Sequence, residues 1–283
     1  VLRERLGHHI HGEIWASAIK KKLDETNLLA RPIHIISANM HSVMNTLYSP
    51  LALTTEFEKY SAMEIYEMLS DSKNSLLRKK VMKYASENGL IYIKDTSGTN
   101  INVQIIDTSK LPNNLSVESN KDKPVIIVMD YAFGEQAFET MDELLKPYKI
   151  SKKETQFLDV RSVSIMGKAG ILEGGKGDIM IPSAHVFEGT ADNYPFKNML
   201  KKSHFKGETV NVSKGAMITV LGTSLQNKDI LKFFNNSTWN VVGLEMEGAH
   251  YQKAIQSASK IRHSISSKVK VRYAYYASDN PLK

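Results

Sequence analysis

Two short stretches near the end of the chain carry the reading: Leu244-Glu245-Met246-Glu247-Gly248-Ala249, and Ala277-Ser278-Asp279-Asn280-Pro281 some thirty positions later. Each follows an apolar run, Trp239–Leu244 in the first case and Val269–Ala277 in the second. Carboxylates at the ends of buried strands lose hydration unless a partner supplies hydrogen bonds. A ligand rich in hydroxyls and ring nitrogens is such a partner. A ribose presents two adjacent hydroxyls to one carboxylate, and a purine presents N7 to a protonated carboxyl. The pair of stretches therefore reads as a nucleoside site.

The segments around these stretches set the fold class. Val125–Met129 is a continuous apolar strand of the kind buried on both faces of a mostly parallel sheet. Helix 136–147 follows, closed by Pro147, and then strands at Ser162–Met166, Asp178–Pro182 and Ala216–Leu221. Lys228–Phe234 reads as a helix, Trp239–Leu244 as a strand, Glu247–Ala258 as a helix and Val269–Ala277 as the last strand. This alternation predicts an α/β fold with a doubly wound, mostly parallel or mixed sheet flanked by helices, and a ligand at the carboxyl ends of the strands. Upstream, residues 9–25 read as an amphipathic helix with Ile10, Ile14, Ala18 and Leu23 near one face. A strand at 32–38, helices at Ala62–Leu69 and Ser75–Ser86, and a hairpin of Leu90–Lys94 with Ile101–Asp107 complete a smaller α/β region without a catalytic signature. Polar residues around 112–123 read as a linker, so the expected division is an N-terminal α/β extension at 1–115 and a catalytic domain at 120–283.

Glu-Met-Glu-Gly-Ala followed by Ser-Asp resembles the purine nucleoside phosphorylase/uridine phosphorylase superfamily, which includes the methylthioadenosine nucleosidases and AMP nucleosidase. Gly167-Lys168-Ala169-Gly170-Ile171-Leu172 with Gly177-Asp178-Ile179-Met180-Ile181-Pro182 resembles its central glycine turn and the strand after it. Glu188-Gly189-Thr190-Ala191-Asp192-Asn193-Tyr194-Pro195, with Ser-Asp-x-Pro at the end, leans toward the AMP nucleosidase branch. The resemblance covers roughly residues 124–283, four motifs in the family's order.

The resemblance implies cleavage of a purine N-glycosidic bond by hydrolysis, with AMP-like substrates ahead of free nucleosides, without cofactor or metal, in a homo-oligomer. Glu247 then accepts both ribose hydroxyls, Met246 packs against the sugar, and Glu245 fills the family's second, more variable acidic position. Asp279, beside Ser278, is the general acid for the departing base, because a carboxyl buried at a strand end is held protonated more easily. Glu135, after Gly134 in the first strand-to-helix loop, matches a water-activating glutamate, or is an ordinary first-turn helix acid. Gly167 lets backbone approach the ligand, and Lys168 either holds an anion or is a surface lysine. Thr223 and Ser224 fall in the base-side loop, and Tyr194 in the loop over the site. Phosphorolytic relatives carry arginine where this chain has Ile165 and a hydroxyl where it has Lys168, which favours water over phosphate as nucleophile. A phosphorylase and a non-catalytic nucleotide-binding protein of the same fold remain the alternatives. That family places a helix after its Ser-Asp strand, whereas the sequence given stops four residues after Asp279.

Composition agrees with a soluble globular protein: 283 residues, 42% hydrophobic and 24% charged. No apolar run approaches the ~20 residues of a membrane span. The absence of cysteine excludes disulfides and thiolate metal sites, and cytoplasm is the expected compartment. The net charge of +7 permits an anionic partner. Its lysines are scattered in pairs such as Lys79-Lys80 and Lys201-Lys202, or the triplet Lys20-Lys21-Lys22, which read as solvated helix faces, so no nucleic-acid or membrane partner is expected. The tight set His8, His9 and His11 lacks carboxylate spacing and reads as surface.

Overall fold

The computed structural model describes residues 2–111, 123–151, 154–190, 192–205, 210–222, 227–236 and 239–283, with side chains from Ile10 onward. In chain order the elements are α1 (Leu2–Glu25), β1 (Ile33–Ser37), α2 (Met40–Ala52), α3 (Thr54–Phe57), α4 (Ala62–Ser70), α5 (Ser75–Glu87), β2 (Leu90–Ile93) and β3 (Val103–Asp107). They continue with β4 (Val125–Met129), α6 (Gln136–Leu144), β5 (Tyr148–Lys149), β6 (Thr155–Gln156), β7 (Val160–Ile171), β8 (Ile179–Phe187), β9 (Asn193–Pro195) and β10 (Val212–Thr219). The last are α7 (Lys228–Asn235), β11 (Val241–Glu245), α8 (Gly248–Gln256), extended by a π turn at Ser257–Ile261, and β12 (Lys270–Asp279).

One mixed sheet runs β11-β10-β8-β12-β7-β1-β4-β3-β2, with β9 added antiparallel to β8. The stretch β4-β1-β7-β12 is parallel throughout, and β8-β10-β11 forms a second parallel run. Strand β7 is long enough to join them twice. It pairs with β12 along nearly its whole length, and at its far end Gly170 and Ile171 meet Leu244 and Gly243 of β11 antiparallel. Strands β7, β12, β8, β10 and β11 therefore close a ring.

The sheet also crosses the expected boundary near residues 115–120. Strand β1, from the stretch before it, lies between β4 and β7 from the stretch after it. Trp15, Ile19, Leu23 and Ile35 share one core with Val163, Met180 and Tyr273. The linker lies almost wholly outside the described residues, but the two stretches it joins are one body. β4 carries Val125, Ile126, Ile127 and Val128, β-branched residues that suit a doubly covered central strand, and its bounds are those expected.

Three local readings change. The buried face of α1 is Trp15, Ala16, Ile19 and Leu23, whereas Ile10 and Ile14 are exposed. That face packs on α6, and the large indole decides the helix rotation by donating its Nε1–H to the Ile101 carbonyl at 2.8 Å. Lys20 is buried rather than solvated. Its ammonium donates to the carbonyls of Glu143 and Lys146 at 2.7 Å each, at the C-terminal end of α6, where the helix leaves acceptors unpaired. Burial pulls its pKa down to about 8. Lastly, Gly167-Lys168-Ala169-Gly170 is no turn but the far half of β7. Alternating exposed and buried positions run through it, and neither glycine adopts the left-handed region.

Candidate active site

The two stretches that opened the sequence reading meet at one point. In the sheet register Gly170 of β7 faces Leu244 of β11 on one side and Asp279 of β12 on the other. An ideal Cβ at Gly170 would lie 3.4 Å from the Pro281 ring, in ordinary packing contact, so the turn after β12 closes directly over this point. Around this junction lies a cavity of about 420 Å³ that includes Gly167, Lys168, Glu245, Met246, Glu247, Ser278 and Asp279 in its lining. Seven of the eleven expected site residues are thus brought together, at a volume suited to a small ligand (roughly 300–1,000 Å³).

Each acid sits differently. Glu245 is 3% exposed and its carboxylate is spent on the protein. It accepts the backbone N–H of Glu247 at 2.6 Å, the N–H of Gly248, and the Thr219 hydroxyl. It therefore caps the start of α8, where the first amides have no helical partner. Burial nevertheless pushes its pKa up to about 7, against the pull of those donors. Glu247 is half-buried and precedes α8. Burial raises its pKa, opposed by the Gly134 N–H, which it accepts at 3.2 Å, and by the charge of Lys168. Asp279 is exposed, not buried as the general-acid reading expects, because it is the last residue of β12 and follows the sheet edge outward. Its Oδ1 accepts the Ser278 hydroxyl at 2.5 Å, and Ser278 also donates toward the Ala169 carbonyl at 3.3 Å.

Aromatic rings that the sequence reading did not single out form much of the wall: Tyr131, Phe133, Tyr251, Tyr275 and Tyr276. Tyr251 of α8 bonds Ser37 at the end of β1 through its hydroxyl, at 2.8 Å, and so ties the helix to the sheet. Tyr275 is backed by His185, whose Nε2 lies 3.1 Å from the tyrosine hydroxyl. Full burial drives the His185 pKa down to about 3, so the ring is a neutral partner, stacked on Phe196. The density of tyrosine in Tyr273-Ala274-Tyr275-Tyr276 was the available signal, but it reads equally as ordinary strand composition.

Glu135 and Tyr194 do not line this cavity. Glu135 is exposed and borders an adjoining cleft with Glu139, Glu188, Asp192, His250 and Lys253. Tyr194 lies on β9, edge-on to Phe187 at 5.9 Å. Thr223 and Ser224 fall outside the described residues. Among the described residues no group of His, Asp or Glu is arranged to hold a metal ion, and His11 instead bonds the Ser97 carbonyl at 2.5 Å. His8 and His9 lie where side chains are not described. No described helix is long and apolar enough to cross a membrane.

A family model covers residues 54–283. The chain belongs to that family, described as "Family of unknown function (DUF6909)". No curated protein matches it. Solved structures do match. Futalosine hydrolase of Helicobacter pylori strain 26695 aligns with a TM-score of 0.50 at 12% identity, over 88% of each chain. The 5′-methylthioadenosine/S-adenosyl homocysteine nucleosidase of H. pylori, complexed with a pyrrolo-pyrimidine pyrrolidine compound, gives 0.51 at 12% identity, over 89% of this chain and 86% of that one. A mutant of the H. pylori nucleosidase with 5′-methylthioadenosine in its active site gives 0.51 at 12%, over 89% and 87%. At such identity the likeness is one of fold, shared with these nucleosidase and futalosine hydrolase structures. Its extent exceeds what residues 124–283 can supply, so a large part of the stretch before residue 124 belongs to the shared architecture.

Proposed function

We infer that this chain hydrolyses the N-glycosidic bond of a purine nucleoside. The observation that carries the reading is the junction at Gly170, which draws Glu247 and Met246 from one strand end and Ser278 and Asp279 from another to a single aromatic-walled cavity. In this reading Glu247 accepts the ribose hydroxyls, and the Gly134 N–H fixes one of its oxygens. The base stacks among the tyrosines, and in doing so covers Asp279. Asp279 then lies beside the base as the proposed proton donor to N7. Bond breaking runs ahead of attack, so the sugar becomes an oxocarbenium-like electrophile that positioned water captures without a strong base.

Charge supports water over phosphate. The cavity lining holds three carboxyl groups, Glu245, Glu247 and Asp279, against one cation, Lys168, and Ile165 stands where phosphorolytic relatives have arginine. A phosphate dianion would enter an acidic site. The adjoining cleft, with Glu135, Glu139, Glu188 and Asp192 against Lys253, favours an uncharged 5′ substituent over a 5′-phosphate, so the free nucleoside takes precedence here over the AMP-like substrate. Incubation with purine nucleosides and nucleotides, with and without phosphate, tests this. Free base and ribose with no phosphate stimulation are expected. Ribose 1-phosphate would overturn the hydrolytic reading, and intact nucleoside bound without base release would identify a binding protein.

A further inference from the structure

The opposite ends of the same strands carry a second cavity with the reverse charge. Strands β1, β7 and β12 are parallel, so their starts lie side by side. They present His34, Arg161, Lys270 and Arg272 there, and the loop before β12 adds Lys268. These side chains line a cavity of about 590 Å³ in which Asp159 is the one carboxylate. Asp159 is already paired with Arg161 at 2.7 Å. Lys268, Lys270 and Arg272 have no ion-pair partner among the described residues. Along β12, Arg272 and Asp279 are seven residues apart, about 23 Å at ~3.3 Å per residue, so this is not an arm of the candidate active site.

Like charges held together without counter-charges repel, and folding tolerates the arrangement here at the mouth of a cavity of small-molecule size. We propose that this cavity is a second ligand site, taking a small soluble polyanion with clustered phosphate groups. Arg272 supplies a planar fork for phosphate oxygens, and Lys268 and Lys270 supply point charges, while Arg161 stays engaged with Asp159. His34 is held by Ser162, whose hydroxyl lies 2.6 Å from its Nδ1, which leaves Nε2 as the ring nitrogen for a ligand. The surroundings of His34 fit the same picture. Burial first, then Arg272, Lys270 and Arg161, hold its pKa below the ordinary value, with Asp159 alone opposing. A bound polyanion reverses the sign of that local field. Among the described residues, Lys20-Lys21-Lys22, Lys79-Lys80 and Lys201-Lys202 are not part of this lining.

The test uses the full chain and inorganic triphosphate, pyrophosphate and phosphate, followed by calorimetry and by imidazole nuclear magnetic resonance, with His34 assigned from a His34→Gln spectrum. Affinity should fall in that order and weaken with salt. The His34 pKa should rise on binding. Lys270→Gln combined with Arg272→Gln should weaken triphosphate at least about a hundredfold, roughly tenfold or more for each charge-assisted hydrogen bond removed. Lys270→Arg should retain binding, and unchanged thermal melting of the double variant shows that the fold is intact. Triphosphate binding that ignores the double variant, or leaves the His34 pKa unmoved, overturns the proposal. So does a single-stranded RNA dodecamer that binds more tightly than triphosphate and is not displaced by it. Because the active-site cavity is not involved, Lys168→Gln should leave triphosphate affinity unchanged. A loss of affinity in that variant relocates the anion and also overturns the proposal.

Discussion

Replacing Glu245 by glutamine isolates the electrostatic consequence of a buried acid that caps a helix. In the folded chain burial holds Glu245 protonated up to about 7, whereas the ordinary value is 4.5. Between those limits the folded state binds more protons than the unfolded one, so stability contributed by this group is fully present below pH 4.5 and is lost as pH rises through 7. The gap, at ~1.36 kcal/mol per pH unit, amounts to about 3 kcal/mol. Glutamine keeps an oxygen for the N–H groups of Glu247 and Gly248 and cannot ionise. His185 acts in the opposite sense, since a value driven down to about 3 makes stability rise with pH up to 6.5, but it is common to both proteins and cancels in the difference. Urea unfolding of both at pH 5 and pH 8 is the assay. Glu245→Gln should gain on the natural chain by about 2–3 kcal/mol between the two pH values, a little less than the full gap because pH 5 already lies above 4.5. A difference that is the same at both would show that the carboxyl ionises freely in place, and the account of its burial would fail.

Asp279→Asn should fold normally and lower turnover of purine nucleosides by roughly 10²–10⁴, the range for a lost general acid; an unchanged rate removes Asp279 from the chemistry. Glu247→Ala should weaken riboside turnover by about ten- to a hundredfold, as expected for hydrogen bonds to a charged acceptor, and 2′-deoxyribosides by less. Equal losses for the two sugars would make Glu247 structural. Gly248→Ala brings a methyl to within 2.6 Å of the Tyr275 hydroxyl and against the His185 ring, so differential scanning calorimetry should register a destabilisation of about 1–3 kcal/mol. A melting temperature equal to the natural chain's would mean that α8 shifts freely, against the packing described.

The sheet was legible wherever apolar runs were short and bounded. Val125–Met129 is a strand over those same residues, and the Leu90/Ile101 hairpin forms with slightly shorter arms. The motif residues were legible because Glu-Met-Glu-Gly and Ser-Asp are unusual at strand ends, and Gly170 unites them. What periodicity could not give was β7 continuing through Gly167 and Gly170, since glycine ordinarily signals a break and here sits in extended strand backbone paired with β12. Nor could it give the exposure of Asp279, the turn of Glu135 into the neighbouring cleft, or the assembly of basic residues distant in sequence. Those depend on which strands become neighbours. The apolar face of α1 was misjudged because Ile10 and Ile14 share its helical period, and only the partner helix and the indole bond choose between the faces.

Strand β12 follows the other described strands in sequence order yet sits inside the sheet, between β7 and β8. While a ribosome is still holding residues 270–279, the two halves of the sheet are joined by just the short β7–β11 pairing at Gly170 and Ile171, and β7 and β8 each present an open strand edge, the kind of edge on which chains aggregate. The same strand brings Tyr275, Ser278 and Asp279, so the cavity cannot exist until synthesis has passed them. Such long-range insertion is slow, because loop closure precedes the contacts that reward it. Nascent chains arrested before residue 270 should therefore recruit chaperones that shield strand edges and show no nucleoside binding, and emergence of β12 should bring architecture and pocket into being in a single step.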